Sequence, residues 1–516
     1  MRGARQGLAV LVALVGLGAL SMLVPAGIAF TFGEHATARS FIYSALLTLV
    51  GVLLVGLAIR RGDERGDDTG AGSGQGEGER PLLVLLGAYV VLPPVLAVPF
   101  ADALGGARFL DAWFEMVSSF TTTGATLYPV PRDLSAPLHF WRAFVGWLGG
   151  LFVLVSVMAL LAPRDMGGFE LLGATGQDRP ARARSVVRRL GQPDATQSRM
   201  IEQAMLIAPL YAALTLILWI ALVLAGNPAM MAVMQAMATL STSGIQGART
   251  MGPAGFWAEA LIFVFLILAL TRRSLPGHGA FDRLAPFRRD PELRLAAAAV
   301  LLVALIMLGR HWVAASMVDE GENLPAAGRA FWGGAFTALS FLTTTGFVSQ
   351  DWAAARAWSG LTSPGMVLLG LALTGGGVAT TAGGLKLLRI HALMLQGRRE
   401  FERLIHPSSV GGGGNVVRRM RRYGARAAWI FVMLFMFSLI VIAGLLTMLG
   451  VGLERAIIYG VAALTTTGPL IHVVQDAPMS WVELPDPARG VLAIAMVLGR
   501  LELMVLLSLI LVRSED

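Results

Sequence analysis

The sequence has no cysteine, so disulfides and thiolate metal sites are excluded. It has a single lysine, Lys386, and charged residues are only 14% of its 516 positions, against roughly a quarter in soluble domains. A chain so poor in charge cannot solvate the surface of a soluble domain. What fills the gap is apolar: 55% of residues are hydrophobic. Runs such as Leu8–Phe30, Phe41–Ile59, Leu83–Phe100, Phe144–Leu161, Met205–Leu224, Phe256–Leu270, Leu295–Leu308, Trp429–Leu449 and Val491–Val512 approach or exceed the roughly 20 residues that cross a bilayer. The chain reads as an all-α polytopic membrane protein with the lipid bilayer as its solvent. The first run is too long for a signal-peptide core and no clear cleavage site follows it, so a retained helix is expected.

The net charge of +8, carried almost wholly by arginine, would suggest a nucleic-acid partner in a soluble protein. Here topology accounts for it, and no nucleic acid is expected. Arginines gather in segments 60–80, 179–199, 272–294 and 386–426. The positive-inside rule makes these segments cytoplasmic and puts both termini inside.

The segments between them carry a repeat. Thr121-Thr122-Thr123-Gly124, Ser241-Thr242-Ser243-Gly244, Thr343-Thr344-Thr345-Gly346 and Thr465-Thr466-Thr467-Gly468 each come after an apolar residue: Phe120, Leu240, Leu342 and Leu464. One such motif is an ordinary helix end. Four, with glycines 120, 102 and 122 residues apart, imply four copies of one element around a shared axis. A cation leaving water needs oxygens in place of its hydration shell, and backbone carbonyls supply them in potassium-selective filters. Extended backbone at membrane depth survives only where protein or a wet cavity surrounds it. Hydroxyls can brace such a loop, and glycine allows positive φ and close approach. Short apolar segments before the triplets, such as Ala112–Ser119 and Ala335–Phe341, read as half-helices whose C-terminal partial negative charge favours a cation.

The resulting organisation is two leading helices (1–60), a cytoplasmic linker (61–80), and four helix–pore loop–helix units. These span 81–200, 201–293, 294–424, the last with an interrupted inner helix, and 425–516, in a pseudo-fourfold arrangement around one ion pore. The interruption is Gly375-Gly376-Gly377-Val378-Ala379-Thr380-Thr381-Ala382-Gly383-Gly384, too rich in glycine for a robust helix. Lys386 behind it invites a phosphate-loop reading, but the spacing is wrong and no Ser or Thr comes after the lysine. Arg500 falls inside the last apolar run, where a cation is costly and usually functional. Pairing with Glu502 is the bland alternative, although residues two apart on a helix do not share a face. Glu115 either tunes the outer vestibule or braces the neighbouring loop. His311, His391 and His406 lack metal-ligand spacing. Gly411–Gly414 reads as a hinge, and Arg418–Arg422 as a solvated or lipid-facing cluster that could also meet a regulatory partner.

From these motifs the chain resembles the Trk/Ktr/HKT superfamily of potassium transporters, most nearly its TrkH-type bacterial subunits, over residues 81–516. The resemblance implies that Gly124, Gly244, Gly346 and Gly468 select potassium, with Thr122, Thr123, Thr242, Ser243, Thr344, Thr345, Thr466 and Thr467 completing the ion sites. Sodium-favouring relatives often carry serine at the first of these glycines, where this chain has Gly124. The resemblance also implies an intramembrane gate formed by Gly375, Gly376, Gly377, Thr380, Thr381, Gly383 and Gly384, with Arg500 of Gly499-Arg500-Leu501-Glu502 as an electrostatic barrier. It further implies a homodimer in the bacterial inner membrane and a cytoplasmic TrkA-type ring that binds nucleotides. No bound cofactor is expected, and potassium is the transported ion. The alternatives are a symporter coupling potassium to sodium or protons, and a membrane enzyme. The enzyme would need clustered acids, bases or metal ligands, which the sequence does not show.

Overall fold

The structure, a computed structural model, describes residues 2–64, 80–130, 133–162, 195–247, 251–271, 290–315, 323–359, 364–406, 424–475 and 479–501. Glu502, Gly411–Gly414, Arg418–Arg422 and the end of the Val491–Val512 run lie outside these residues, as do most of the linker and of the arginine-rich segments. The chain is a multi-pass helical membrane protein. Among the described residues seven helices are long and apolar enough to cross a bilayer.

A leading pair comes first. α1 (Arg2–Ser21) runs into α2 (Leu23–Thr31), and α3 (His35–Glu64) returns. The side chains of Tyr43, Leu47, Leu53 and Leu54 on α3 are mostly exposed, which in a bilayer means a face turned to lipid. The pair is fastened to the helices that come next: α1 packs on α4 (Arg80–Ala103) and α2 on α6 (Ala136–Ser156). There Phe41 meets Trp141 edge-on at 5.4 Å, and the Trp141 indole donates to the Leu96 carbonyl at 3.2 Å. α4 keeps Pro93, Pro94 and Pro99 inside one helix. Bilayer-spanning helices tolerate this because neighbouring elements satisfy the freed carbonyls.

The rest repeats one pattern: a long helix, a second helix ending at the hydroxyl triplet, a loop, and a return helix. The first set is α4, α5 (Phe109–Phe120) and α6. The second is α7 (Ala195–Leu224), α8 (Ala229–Ser241) and α9 (Phe256–Leu266). The third is α10 (Pro291–Ala315), α11 (Asn323–Leu342), the short α12 (Trp352–Ser359), α13 (Gly365–Thr374) and α14 (Leu387–Ile405). The fourth is α15 (Ala425–Met448), α16 (Leu453–Leu464), the single turn α17 (Ile471–Val474) and α18 (Asp486–Leu501). α5 and α16 have 12 residues each and α8 has 13. At 1.5 Å per residue that is about 18–20 Å, little more than half the hydrocarbon core. α11 is longer, at 20 residues, and packs against α10 and α12.

Two expectations change. The Phe256–Leu270 run is not one long helix: it tightens to 3-10 geometry at Ile267–Leu270 and stops at Thr271, whose hydroxyl donates to Asp290 at 2.8 Å. The carbonyls freed in that last turn are used by the glycine-rich break between α13 and α14, where Gly377 N–H donates to the Ala269 carbonyl at 3.1 Å. The hydroxyl–glycine segments, read as extended backbone, begin instead as helix caps.

A candidate ion filter with a glycine-rich loop beneath it

Each triplet closes its helix as a Schellman cap, in which two N–H groups beyond the helix return to carbonyls of its last turn. In the first loop Thr122 N–H donates to Ser119 and Thr123 N–H to Ser118, at 2.9 and 2.8 Å. The same register recurs as Thr242 to Thr239 and Ser243 to Ala238, Thr344 to Phe341 and Thr345 to Ser340, and Thr466 to Ala463 and Thr467 to Ala462. The cap demands a left-handed residue, which is usually glycine. Here it is the middle threonine every time, with φ of 56, 51, 58 and 53° at Thr122, Thr242, Thr344 and Thr466. For a β-branched residue this is a true outlier, costing on the order of 1–3 kcal/mol at each site. The first and third hydroxyls hold it in place, bonding each other at 2.8 Å (Thr121 and Thr123), 2.9 Å (Ser241 and Ser243), 3.0 Å (Thr343 and Thr345) and 3.1 Å (Thr465 and Thr467).

The glycine after each triplet lies against the next loop. A methyl group on Gly124 would come within 2.2 Å of the Ser243 carbonyl oxygen, and one on Gly244 within 2.1 Å of that of Thr345. One on Gly346 would meet Pro469 at 2.9 Å, and one on Gly468 would meet Ala125 N at 2.3 Å. Loop one thus touches two, two touches three, three touches four, and four returns to one. All twelve expected filter residues except the partly buried glycines at 124 and 244 are buried, and the four segments meet one another.

Behind the ring is a brace of which the sequence reading singled out only Glu115. Nine residues before each glycine stands a polar side chain: Glu115, Gln235, Thr337 and Tyr459. Each bonds the stretch that leaves the loop. Glu115 accepts from Thr126 Oγ1 at 2.9 Å and from Leu127 N–H, and Gln235 donates to the Met251 carbonyl at 3.2 Å. Thr337 accepts from Ser349 N–H at 3.3 Å, and Tyr459 donates to the Ser480 carbonyl at 2.7 Å. Glu115 is fully buried and its other oxygen pairs with Arg142 at 2.8 Å, so of its two possible roles it takes the brace. Aligning the four motifs on their glycines would have exposed this column, since polar residues are rare in the surrounding apolar helices.

Beneath the ring lies the break between α13 and α14. Gly383 N–H donates to Thr344 Oγ1 at 2.7 Å, and a methyl group on Gly383 would come within 2.2 Å of the Thr465 carbonyl oxygen. Thr381 Oγ1 donates to the Leu240 carbonyl at 3.1 Å. Thr380 Oγ1 instead turns back to the Gly377 carbonyl at 2.7 Å. Gly375, Gly376 and Gly384 permit the folding of the loop on itself: a methyl group on Gly375 would meet the Gly383 carbonyl at 2.2 Å, one on Gly376 the Ala382 side chain at 2.5 Å, and one on Gly384 the Ala372 carbonyl at 2.7 Å. Lys386 is buried and its ammonium donates to the Ala382 carbonyl inside the same loop, which uses the lysine without any phosphate.

Arg500 joins this layer from α18. Its Nη1 donates to the Thr381 carbonyl at 2.5 Å, and its guanidinium is buried. Gly499 before it lets α18 approach closely, since a methyl group there would come within 2.1 Å of the Leu464 carbonyl. Gly149 of α6 makes the same approach to Phe120 at 2.0 Å. Among the described residues no three His, Asp or Glu side chains converge on a metal position, so the oxygens gathered here are main-chain carbonyls and hydroxyls.

The comparisons agree with this architecture. Residues 262–515 match the family model TrkH, described as a cation transport protein. The chain is 29% identical over 435 residues to the Trk system potassium uptake protein TrkH of Salmonella typhimurium, covering 83% of this chain and 84% of the relative. It is 26% identical to the TrkG protein of Escherichia coli over 514 residues, 95% of this chain and 94% of that one. The chain is TrkH-like. The crystal structure of the potassium transporter TrkH from Vibrio parahaemolyticus superposes with a TM-score of 0.76 over 98% of both chains at 24% identity, which establishes the shared fold. These matches are transporters and not enzymes, so the membrane-enzyme alternative is set aside for the TrkH-like chain.

Proposed function

We propose that the chain conducts potassium into the cell through a filter made of Thr122–Gly124, Thr242–Gly244, Thr344–Gly346 and Thr466–Gly468. The observation that carries this reading is the cyclic approach of the four glycines, each within van der Waals reach of the next loop and the fourth of the first. Only segments that surround one axis can touch in that order. Four helix ends converge with them, and their partial negative charge favours a cation at the centre. The order supports the division into four fused units, and the names of the relatives supply potassium as the ion.

The Gly375–Gly384 loop, with Thr380, Thr381 and Arg500, is the inner gate in this reading. Its support is that the loop bonds the feet of loops two and three and presses on that of loop four, while a buried guanidinium grips its Thr381 carbonyl. Opening requires those bonds to exchange. A homodimer in the bacterial inner membrane, with both termini cytoplasmic and a TrkA-type nucleotide-binding ring pulling on the gate, completes the proposal.

The test is growth of a potassium-uptake-deficient bacterium at low external potassium, with and without a co-expressed ring protein, alongside rubidium uptake into proteoliposomes. Growth and uptake are expected. A folded protein that supports neither would overturn the reading, and uptake that required a sodium or proton gradient would replace the channel with a symporter.

A further inference from the structure

The fourth filter glycine is unlike the other three. Gly124, Gly244 and Gly346 have φ of 74, 64 and 81°, whereas Gly468 is not among the left-handed residues and opens a 3-10 turn, Gly468–Leu470, that runs directly into α17. Pro469 imposes this course, because its ring fixes φ near −65° and suits the first position of a helical turn. Two contacts result. Gly468 N–H donates to the Thr123 carbonyl at 2.6 Å, which is the oxygen immediately before the first filter glycine. The Pro469 ring also stands beside all three remaining glycines: a methyl group on Gly124 would lie 3.6 Å from its Cδ, one on Gly244 3.1 Å from its Cγ, and one on Gly346 2.9 Å from its Cβ.

The neighbours of loop four in the ring are loops one and three. A side chain wedged at the rim could reach those two. Loop two is on the far side, so a ring that reaches Gly244 as well has to stand where the axis passes.

We propose that Pro469 lies in the ion path at the level of the filter glycines and determines access to it. This rests on the filter reading above. With the ring in place the central space is filled by carbon, and the Thr123 carbonyl is occupied by an N–H. Withdrawal of the fourth loop clears the centre and releases that carbonyl, so an arriving cation competes with Gly468 N–H for the same oxygen. The glycines of the other three loops hold their left-handed course without a proline.

The absence of cysteine makes the test direct, because Pro469→Cys introduces the molecule's one thiol. In cells expressing this variant, a membrane-impermeant cationic methanethiosulfonate added outside is expected to abolish rubidium uptake, and external potassium is expected to slow the loss. A thiol that is labelled while uptake continues, or labelled at a rate indifferent to potassium, would overturn the proposal. Pro469→Ala provides a second reading that needs no reagent: faster uptake is expected with the potassium-over-sodium preference retained. A folded Pro469→Ala protein that has lost this preference would make the ring a brace and not an obstruction, which also overturns the proposal. Wild-type protein that carries no rubidium is the distinguishable case in which the filter reading itself falls, and this inference with it.

Discussion

Loops one and three are held differently from loops two and four. Six residues before their glycines the first pair carries Ser118 and Ser340, where the second pair carries Ala238 and Ala462. The serine carbonyl accepts a second N–H, from Gly124 or Gly346, and the hydroxyl secures the next residue. Ser118 Oγ donates to the Ala125 carbonyl at 2.8 Å, and Ser340 Oγ accepts from Phe347 N–H at 2.6 Å. Loops two and four have the Schellman cap without this clasp. Facing loops therefore match and adjacent loops differ, so the ring has one stiff diagonal and one freer diagonal. The glycine-rich loop meets the backbone of the freer diagonal, at Leu240 and Thr465, and reaches the stiff one through the Thr344 hydroxyl. In the proposed reading, a gate that bears on the more yielding pair disturbs the proposed ion sites without dismantling the ring.

The most severe way to break this comparison is to fill the space between loops. Gly244→Ala puts a methyl group against the Thr345 carbonyl at a left-handed φ, and rubidium uptake is expected to be lost. Gly124→Ser should likewise weaken discrimination of potassium from sodium, read as a ratio of uptake rates. Uptake with normal ratios in either variant would sink the cyclic filter. Next in size is Arg142→Ala, which strands a fully buried Glu115 behind the stiff first loop. Removing one partner of a buried ion pair costs about 3–5 kcal/mol, so thermal unfolding in detergent should fall sharply, and Glu115→Gln in the same chain should recover part of the loss.

Arg500→Ala tests the gate side of the contrast. Basal uptake without any ring protein should rise, because the Thr381 carbonyl loses its cationic partner and the path loses its positive charge. A fall in uptake with normal folding would contradict that role. Ser340→Ala sharpens the diagonal itself. Losing one hydrogen bond costs about 1 kcal/mol and makes loop three resemble loop two, so selectivity should soften while Ala238→Ser leaves it intact.

The smallest effect lies at the seam between the first and last repeats, where Arg108 and Arg489 clasp Asp111 and Asp486. The hydrogen bond from Arg108 holds the Asp486 carboxyl below its usual range. A lowered carboxylate pKa contributes stability above the ordinary range and loses it as pH falls through the lowered value, so Tm should be level near neutrality and drop only in acid. Solvent exposure keeps this term slight.

Much of the architecture was legible because its determinants are local. Apolar run length marks spanning helices, and a triplet of hydroxyls before glycine marks a helix end whatever surrounds it. The break at Gly375–Gly384 could be read from glycine alone. The left-handed turn at the middle residue of each triplet was not legible, since positive φ at a threonine contradicts that residue's own preference and is imposed by the ring around it. The Glu115 pair with Arg142, the bond from Arg500 to the Thr381 carbonyl and the position of Pro469 were hidden for another reason. Each joins segments far apart in the sequence, and no spacing rule connects them.

The bond from Gly468 N–H to the Thr123 carbonyl links residues 345 positions apart. During synthesis the ring of loops therefore cannot close until the last segment emerges. A chain cut short before residue 468 lacks the segment that closes the ring, so the circuit of loops is sealed only by the last quarter of the sequence.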